Sequence, residues 1–174
     1  MGSGLVLWGV GTSRTVRPHW VLHELGLPYE RKAILPRTGE TETPEYTALN
    51  PRQKVPLLQD RDLVIGESAA IIAYLAQTYP RADVALVPQQ SDAYAKWLEW
   101  CFFIVTELDS TSLYVMRRHG NVRGLAHLYG EAPDVVARAA EEATVALNFQ
   151  DVDVPVLARF VSEVTGRNFI VDER

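Results

Sequence analysis

Only one cysteine, Cys101, occurs in the 174 residues. That excludes an internal disulfide framework and fits a reducing compartment. No apolar run approaches the length of a membrane-spanning helix. The opening MGSGLVLWGVG is too short, and too soon interrupted by glycine, for a secretory signal. Acidic and basic residues are interspersed at a formal charge of −5, so no basic patch is offered to a nucleic acid. Repeats and low-complexity tracts are lacking. A metal site is not indicated either: His19 and His23 lie on one helical stretch, but no third ligand follows, and the pair reads as a solvated helix face. What these absences leave is a soluble cytoplasmic protein of one domain or two small ones.

Leu5 to Trp8 is a short apolar run closed by Gly9 and Gly11, and it predicts a buried strand. Gly11-Thr12-Ser13-Arg14 leads into a helix with Val16, Trp20, Val21 and Leu25 at helical spacing, ended by Gly26 and Pro28. Tyr29 to Leu35 returns as a strand, completing a βαβ unit that should be parallel and right-handed. After a polar stretch over 36–43, Thr43-Pro44-Glu45 caps a short helix through Leu49. Strands at Pro56–Gln59 and Leu63–Ile65 form a hairpin, and a helix from Glu67 to Tyr79 carries Ile71, Ile72, Leu75 and Tyr79 on one face. Residues 81–90 read as a linker. A long helical pattern covers 91–119, with Trp97, Trp100 and Phe103 assigned to the core and Cys101 to a buried, unreactive position. A second helical pattern covers about 133–145.

The stretch from Lys54 to Leu75, KVPLLQDRDLVIGESAAIIAYL, concentrates the chemistry. Pro56 removes a strand N–H and makes a cis Val55-Pro56 peptide accessible, which would turn the Val55 backbone outward to an extended ligand. Glu67 and Ser68 fall where the next helix begins, at unpaired N–H groups and the positive end of the helix dipole. Such a terminus takes a carboxylate, and Glu67 beside it takes an ammonium. A ligand end carrying both groups suits the pair. Taken singly, Pro56 is a strand-edge marker and Ser68 a helix cap.

NPRQKVPLL followed, about ten residues on, by ESAAIIAYL resembles the glutathione-site signature of the cytosolic glutathione transferases. The resemblance covers residues 5 to about 80 closely, and the stretch WLEWCFFIVTELDSTSLYVMRRHG is similar to bacterial members of the family. It implies a thioredoxin-like β-α-β-α-β-β-α domain at 1–80, then an all-α domain, here shortened to 91–145. It also implies glutathione as co-substrate, a small hydrophobic electrophile as second substrate, and a homodimer. Val55, Pro56, Glu67 and Ser68 would hold glutathione, with Lys54 pairing its glycyl carboxylate; otherwise Lys54 is a solvated strand-edge lysine.

The family's thiol-activating hydroxyl follows the first strand, and the candidates are Ser13 and Thr12, ahead of Arg17, which matches the helix-1 arginine. Ser13 is preferred because serine is the usual donor in the similar bacterial classes; either residue is otherwise a plain cap. Glutathione's thiol has a pKa near 8.5, and lowering it by about two units takes roughly 2.7 kcal/mol of differential stabilisation. A hydroxyl and a helix N-terminus are adequate to that. Pro18, where the family usually has an aliphatic residue, predicts that helix 1 begins late.

Thr144 to Gln150 alternates like a strand, Asp153-Val154-Pro155 opens a helix ended by Gly166, and Asn168 to Val171 is β-rich. This βαβ-like tail, 146–174, is similar to the start of the N-terminal ring domain of type II secretion secretins. The family's later capped helix is not found in its place. Besides thiolate transfer to an alkyl or aryl electrophile, two readings stay open: a glutathione-dependent isomerase or peroxidase at the same site, and a non-catalytic glutathione-binding or dimerising module. The deficit of C-terminal helices favours the module. A chain joined from pieces of two genes is a further reading.

Overall fold

Alternation along Leu5–Trp8 decides how the first strand sits. In the computed structural model, which describes residues 4–83, 86–120 and 125–146 (backbone alone over 142–146), Leu5 and Leu7 serve one face of the sheet and Val6 and Trp8 the other. The chain forms two compact units, Met1–Gln90 and Ser91–Arg174.

The first unit runs β1 (Leu5–Trp8), α1 (Ser13–Glu24), β2 (Glu30–Lys32), α2 (Pro44–Leu49), β3 (Leu57–Asp60), β4 (Leu63–Gly66) and α3 (Ser68–Thr78), the thioredoxin-like order expected. The sheet order is β2-β1-β3-β4, with β1 parallel to β2 and antiparallel to β3, and β3 antiparallel to β4. On one face Leu5, Leu7 and Leu58 pack with Val21 and Leu22 of α1, Leu25 at its C-terminal cap, and Ile71 and Leu75 of α3. On the other, Trp8 and Leu57 pack on Tyr46 of α2, with Val6, Ile34, Leu49 and Val55 around them. Burial of these side chains, each worth about 1.5–3 kcal/mol, holds the sheet between its helices.

One buried charge stands apart from that core. The Asp60 side chain at the end of β3 is only 2% exposed and accepts the hydroxyls of Tyr74 at 2.6 Å and Tyr79 at 2.5 Å, with Arg61 Nε at 3.2 Å. Burial alone would raise the carboxyl's pKa, but the bonds from Arg61, Tyr74 and Tyr79 outweigh it and leave the group below its ordinary value.

Helix α1 corrects the expectation of a late start. It begins at Ser13, and Pro18 lies inside it, fully buried. A reciprocal capping box holds the first turn: Thr15 N–H donates to Thr12 Oγ1 at 3.1 Å and Thr12 N–H to Thr15 Oγ1 at 3.0 Å. With the turn fixed, Pro18 forgoes one intrahelical bond without breaking the helix. Strand β2 is confined to Glu30–Lys32, shorter than the run from Tyr29 to Leu35.

In the second unit the expected long helix has three parts: α4 (Ser91–Phe103), a π-helical segment (Ile104–Leu113) and α5 (Tyr114–His119). The wide turns coincide with Thr106, Ser110, Thr111 and Ser112, whose hydroxyls donate back to the carbonyls of Phe102, Val105, Glu107 and Glu107. Hydroxyls that return to the backbone loosen and bend a helix. The aromatic band assigned to the core is not buried in it: α4 buries none of its residues, and Trp100 is 36% exposed. Tyr94 stacks on Trp97 at 5.8 Å and Trp100 meets Phe103 edge-on at 5.7 Å, so the rings satisfy one another along the helix. Cys101 is half-buried there, and burial raises its thiol pKa.

A one-turn helix α6 (Ala126–Tyr129), unforeseen from the sequence, precedes α7 (Pro133–Ala146). Thr144, Val145 and Ala146 belong to α7, not to a strand, because the alanine-rich run from Ala137 carries helix propensity through to Ala146. The rest of the βαβ-like reading, residues 147–174, lies outside the described residues. No helix among the described residues is long and apolar enough to cross a membrane.

Candidate functional site

Strand register brings the signature residues together. Leu57 pairs with Gly66 across the β3–β4 hairpin, so Val55-Pro56, just ahead of β3, and Glu67-Ser68, just after β4, lie at the same end of the sheet. The Val55-Pro56 peptide is cis, as the sequence suggested. Pro56 is buried and Val55 half-buried, whereas Lys54 is exposed. The Lys54 carbonyl accepts from Tyr46 OH at 2.5 Å and Asn50 Nδ2 at 2.7 Å. α2 and the residue after it therefore anchor the backbone just before Val55. Desolvation raises the Tyr46 hydroxyl's pKa, which keeps it a donor.

At the start of α3, Glu67 occupies the cap position with φ 64° and makes no side-chain cap bond. A non-glycine residue at positive φ costs about 1–3 kcal/mol, and such conformations cluster at ligand sites. Glu67 lies two-thirds exposed with Arg52 Nη1 at 3.4 Å, a surface pair worth little by itself. Ser68 is the first helical residue and is 5% exposed. Its Oγ accepts from Nη1 of Arg17, a residue 6% exposed on α1, at 3.2 Å. The guanidinium thus adds its charge to the positive end of α3, and the two together favour an anion at Ser68.

The end of the β1–α1 loop and the first residue of α1 carry the two hydroxyl candidates, Thr12 and Ser13. The Thr12 hydroxyl is committed: it accepts from Thr15 N–H and donates to Thr15 Oγ1 at 3.2 Å. Ser13, 5% exposed, is the first residue of α1. Gly9 joins the loop to the Val55 side. At its φ of 103° a Cβ would lie 2.4 Å from Val55 Cβ and 2.7 Å from Val55 Cγ1. Only glycine fits, and Val55 rests directly on the backbone that leads to Thr12 and Ser13.

Four contributors were not assigned to the site from sequence. Arg17 was noted as a match to the family's arginine without a role, and its signal was a lone charge on the apolar side of a helix. Tyr46 and Asn50 anchor Lys54, and Arg52 sits against Glu67; none of the three has a role of its own in the sequence reading. The solvated-face reading fails for His19, which is half-buried between Tyr29 OH at 2.7 Å from Nδ1 and the Gly9 carbonyl at 3.0 Å from Nε2. His23 is exposed. Both His19 nitrogens are engaged, and no group of three metal-ligating side chains occurs among the described residues.

Residues 3–77 match the family model described as "Glutathione S-transferase, N-terminal domain", and residues 147–174 match "GspD-like, N0 domain". The chain is 35% identical over 99 residues to "Glutathione S-transferase-like protein gedE" of Aspergillus terreus, covering 56% of this chain and 43% of that protein. It is 35% identical over 100 residues to "Glutathione S-transferase GstB" of Escherichia coli, covering 55% and 48%. The chain thus spans about half the length of the curated relatives it matches. Among solved structures, the theta class glutathione S-transferase of Xanthomonas axonopodis pv. citri with glutathione bound superposes with a TM-score of 0.72 at 29% identity, covering 84% of this chain and 68% of that one. A glutathione transferase homolog from a Drosophila species, also with glutathione bound, gives a TM-score of 0.72 at 26% identity, covering 82% and 64%.

Proposed function

We propose that this chain, whose residues 3–77 match the glutathione S-transferase N-terminal domain, binds glutathione along Val55 and activates its thiol for attack on a small hydrophobic electrophile. The observation that carries this is the register Leu57↔Gly66, which brings Val55-Pro56 to the same end of the sheet as Glu67, Ser68 and the Arg17 guanidinium. The γ-glutamyl carboxylate takes Ser68 and the α3 N-terminus. Its ammonium takes Glu67, and the cysteinyl backbone runs along Val55. Lys54, exposed at the same edge, faces the glycyl carboxylate.

The thiol end then lies toward the β1–α1 loop. Ser13, buried as the first residue of α1, is the donor we favour there. A hydroxyl donor at a helix start stabilises thiolate over thiol. The thiol proton leaves to solvent, sulfur bonds to the electrophilic carbon, and the carbon's leaving group departs with its electron pair. Holding glutathione extended and the sulfur beside its donor supplies the rest, as positioning. Homodimerisation and cytoplasmic residence belong to the same reading. A monomer mass by light scattering at micromolar concentration would remove the dimer.

Retention on glutathione-agarose followed by calorimetry tests the site. Ser68→Ala should weaken binding by about 1–2 kcal/mol, the loss of one charge-assisted hydrogen bond. Unchanged affinity would sink the placement. A second reading is a glutathione-binding module without catalysis. Turnover of a chromogenic aryl halide separates the two.

A further inference from the structure

The Gly9–Val10 peptide plane is gripped from both of its edges. Val10 N–H donates to the Ile34 carbonyl at 3.0 Å, while the Gly9 carbonyl on the opposite edge meets His19 Nε2 at 3.0 Å. Gly9 N–H is also held, by the Lys32 carbonyl at 2.9 Å. A carbonyl only accepts, so Nε2 carries the proton. Burial, the largest influence, pushes the imidazole's pKa down; the Gly9 bond opposes this, and Arg31 and His23 nearby reinforce it. At neutral pH the ring is therefore uncharged, its Nδ1 holds a lone pair, and Tyr29 OH donates to that nitrogen at 2.7 Å. This defined tautomer spans β1, α1 and the start of β2.

We propose that His19 is a positioning residue for the thiol-activating loop: by holding the Gly9 carbonyl it fixes the chain that carries Thr12 and Ser13. Three features make the hold matter. Gly9 sits at φ 103°, where backbone freedom is greatest once the restraints go. Val55 bears directly on Gly9, so the peptide plane that His19 holds is the one packed against the Val55 side of the site. The next glycine, Gly11 at φ 75°, gives the segment up to Thr12 no stiffness of its own. Lose the His19 bond, and the plane pivots on the remaining Ile34 contact, carrying the loop with it. The part of this that concerns thiol activation rests on the function proposed above; the pin itself does not.

The test uses the full chain in three variants. His19→Phe keeps ring volume and loses both bonds; His19→Gln keeps an amide N–H for the Gly9 carbonyl; Tyr29→Phe removes the hydroxyl behind the ring. In ligand-free protein, His19→Phe should speed amide exchange over 9–13 by about two- to tenfold, the loss of one hydrogen bond, with β3 and α3 unaffected. With glutathione bound, the ultraviolet thiolate band should titrate at higher pH while affinity stays within about twofold of wild type. His19→Gln should restore both, and Tyr29→Phe should move both partway.

Overturning results are equally definite. They are a His19→Phe protein with unchanged loop exchange, a His19→Gln protein as impaired as His19→Phe, or faster exchange across the whole first unit. If the wild-type chain retains no glutathione, the site reading fails by itself and loop exchange alone decides the pin. Unchanged exchange alongside normal glutathione binding overturns the pin and leaves the site intact.

Discussion

Replacing Gly9 by alanine tests whether Val55 is held where an extended ligand would meet it. The new Cβ would lie 2.4 Å from Val55 Cβ, 2.7 Å from Val55 Cγ1 and 3.1 Å from Thr15 Cγ2. Carbon atoms rest at about 3.5–4.0 Å, so the first two contacts are deep in repulsion and something must move. Alanine at φ 103° adds a backbone penalty of about 1–3 kcal/mol, and overpacking adds about 1–3 kcal/mol. The expected loss is therefore about 2–6 kcal/mol, a large share of the roughly 5–15 kcal/mol that domains possess. Urea unfolding reads it as a lower midpoint at unchanged slope.

The cheapest relief is for Val55 to shift, and that displaces the backbone proposed to hold glutathione. Affinity should fall along with stability. Val55→Gly in the same chain removes both short contacts but leaves the φ penalty. A double-mutant cycle should then show coupling of about 1–3 kcal/mol, the overpacking part alone. If Gly9→Ala costs under about 0.5 kcal/mol with glutathione affinity unchanged, Val55 does not bear on Gly9 and the link between the two halves of the site is wrong.

The two loop hydroxyls should part company: Thr12→Ala loses a cap worth about 0.5–2 kcal/mol of stability with little change in the bound thiol's titration, whereas Ser13→Ala raises the thiol pKa and slows aryl halide turnover at neutral pH. The opposite pattern in the ultraviolet titration would make Thr12 the donor. Asp60, held below its ordinary carboxyl pKa, contributes stability that is complete above the unfolded value, about 3.9, and is lost as pH falls through its lower folded value. Asp60→Asn should therefore flatten the acid limb of stability below about pH 4, read by urea midpoints across pH; an unaltered limb would refute it. Deleting 150–174 should leave glutathione affinity intact, because every residue placed at the site lies between Gly9 and Ser68; calorimetry showing abolished binding would tie the tail to the fold.

Legibility from sequence followed the range of the interaction concerned. The signature NPRQKVPLL…ESAAIIAYL specified its own strand, cis peptide, hairpin and helix start, because each depends on neighbours within a few positions. Element order in the first unit was legible for the same reason, through glycine and proline punctuation. Pro18 misled because a single helix breaker was weighed without the capping box, whose Thr12 and Thr15 partners leave no apolar pattern. The π-helical segment hid behind an acceptable helical period; its trace was the density of hydroxyls from Thr106 to Ser112, a feature that periodicity ignores. Thr144–Ala146 alternated by chance within an alanine-rich helix.

Arg17 and His19, whose partners the sequence did not show, share one property: each acts on another residue's backbone or side chain across the fold. Arg17 reaches Ser68 over 51 positions, and His19 reaches the Gly9 carbonyl and Tyr29 over ten each. No periodicity encodes such a contact, since the donor need only be long or aromatic and correctly aimed. Yet both sit on α1, and both aim at the same end of the sheet. A polar residue on the inward side of an amphipathic helix must find a partner when buried, so its presence predicts a bond without saying to what. In α1 those partners are the α3 start and the β1 exit, the two places where the proposed ligand needs fixed geometry. The helix therefore acts as more than cover for the sheet. It ties the proposed carboxylate-binding end of the site to the proposed thiol end, and a substitution at Arg17 or His19 should be felt as a change in one end with the other intact.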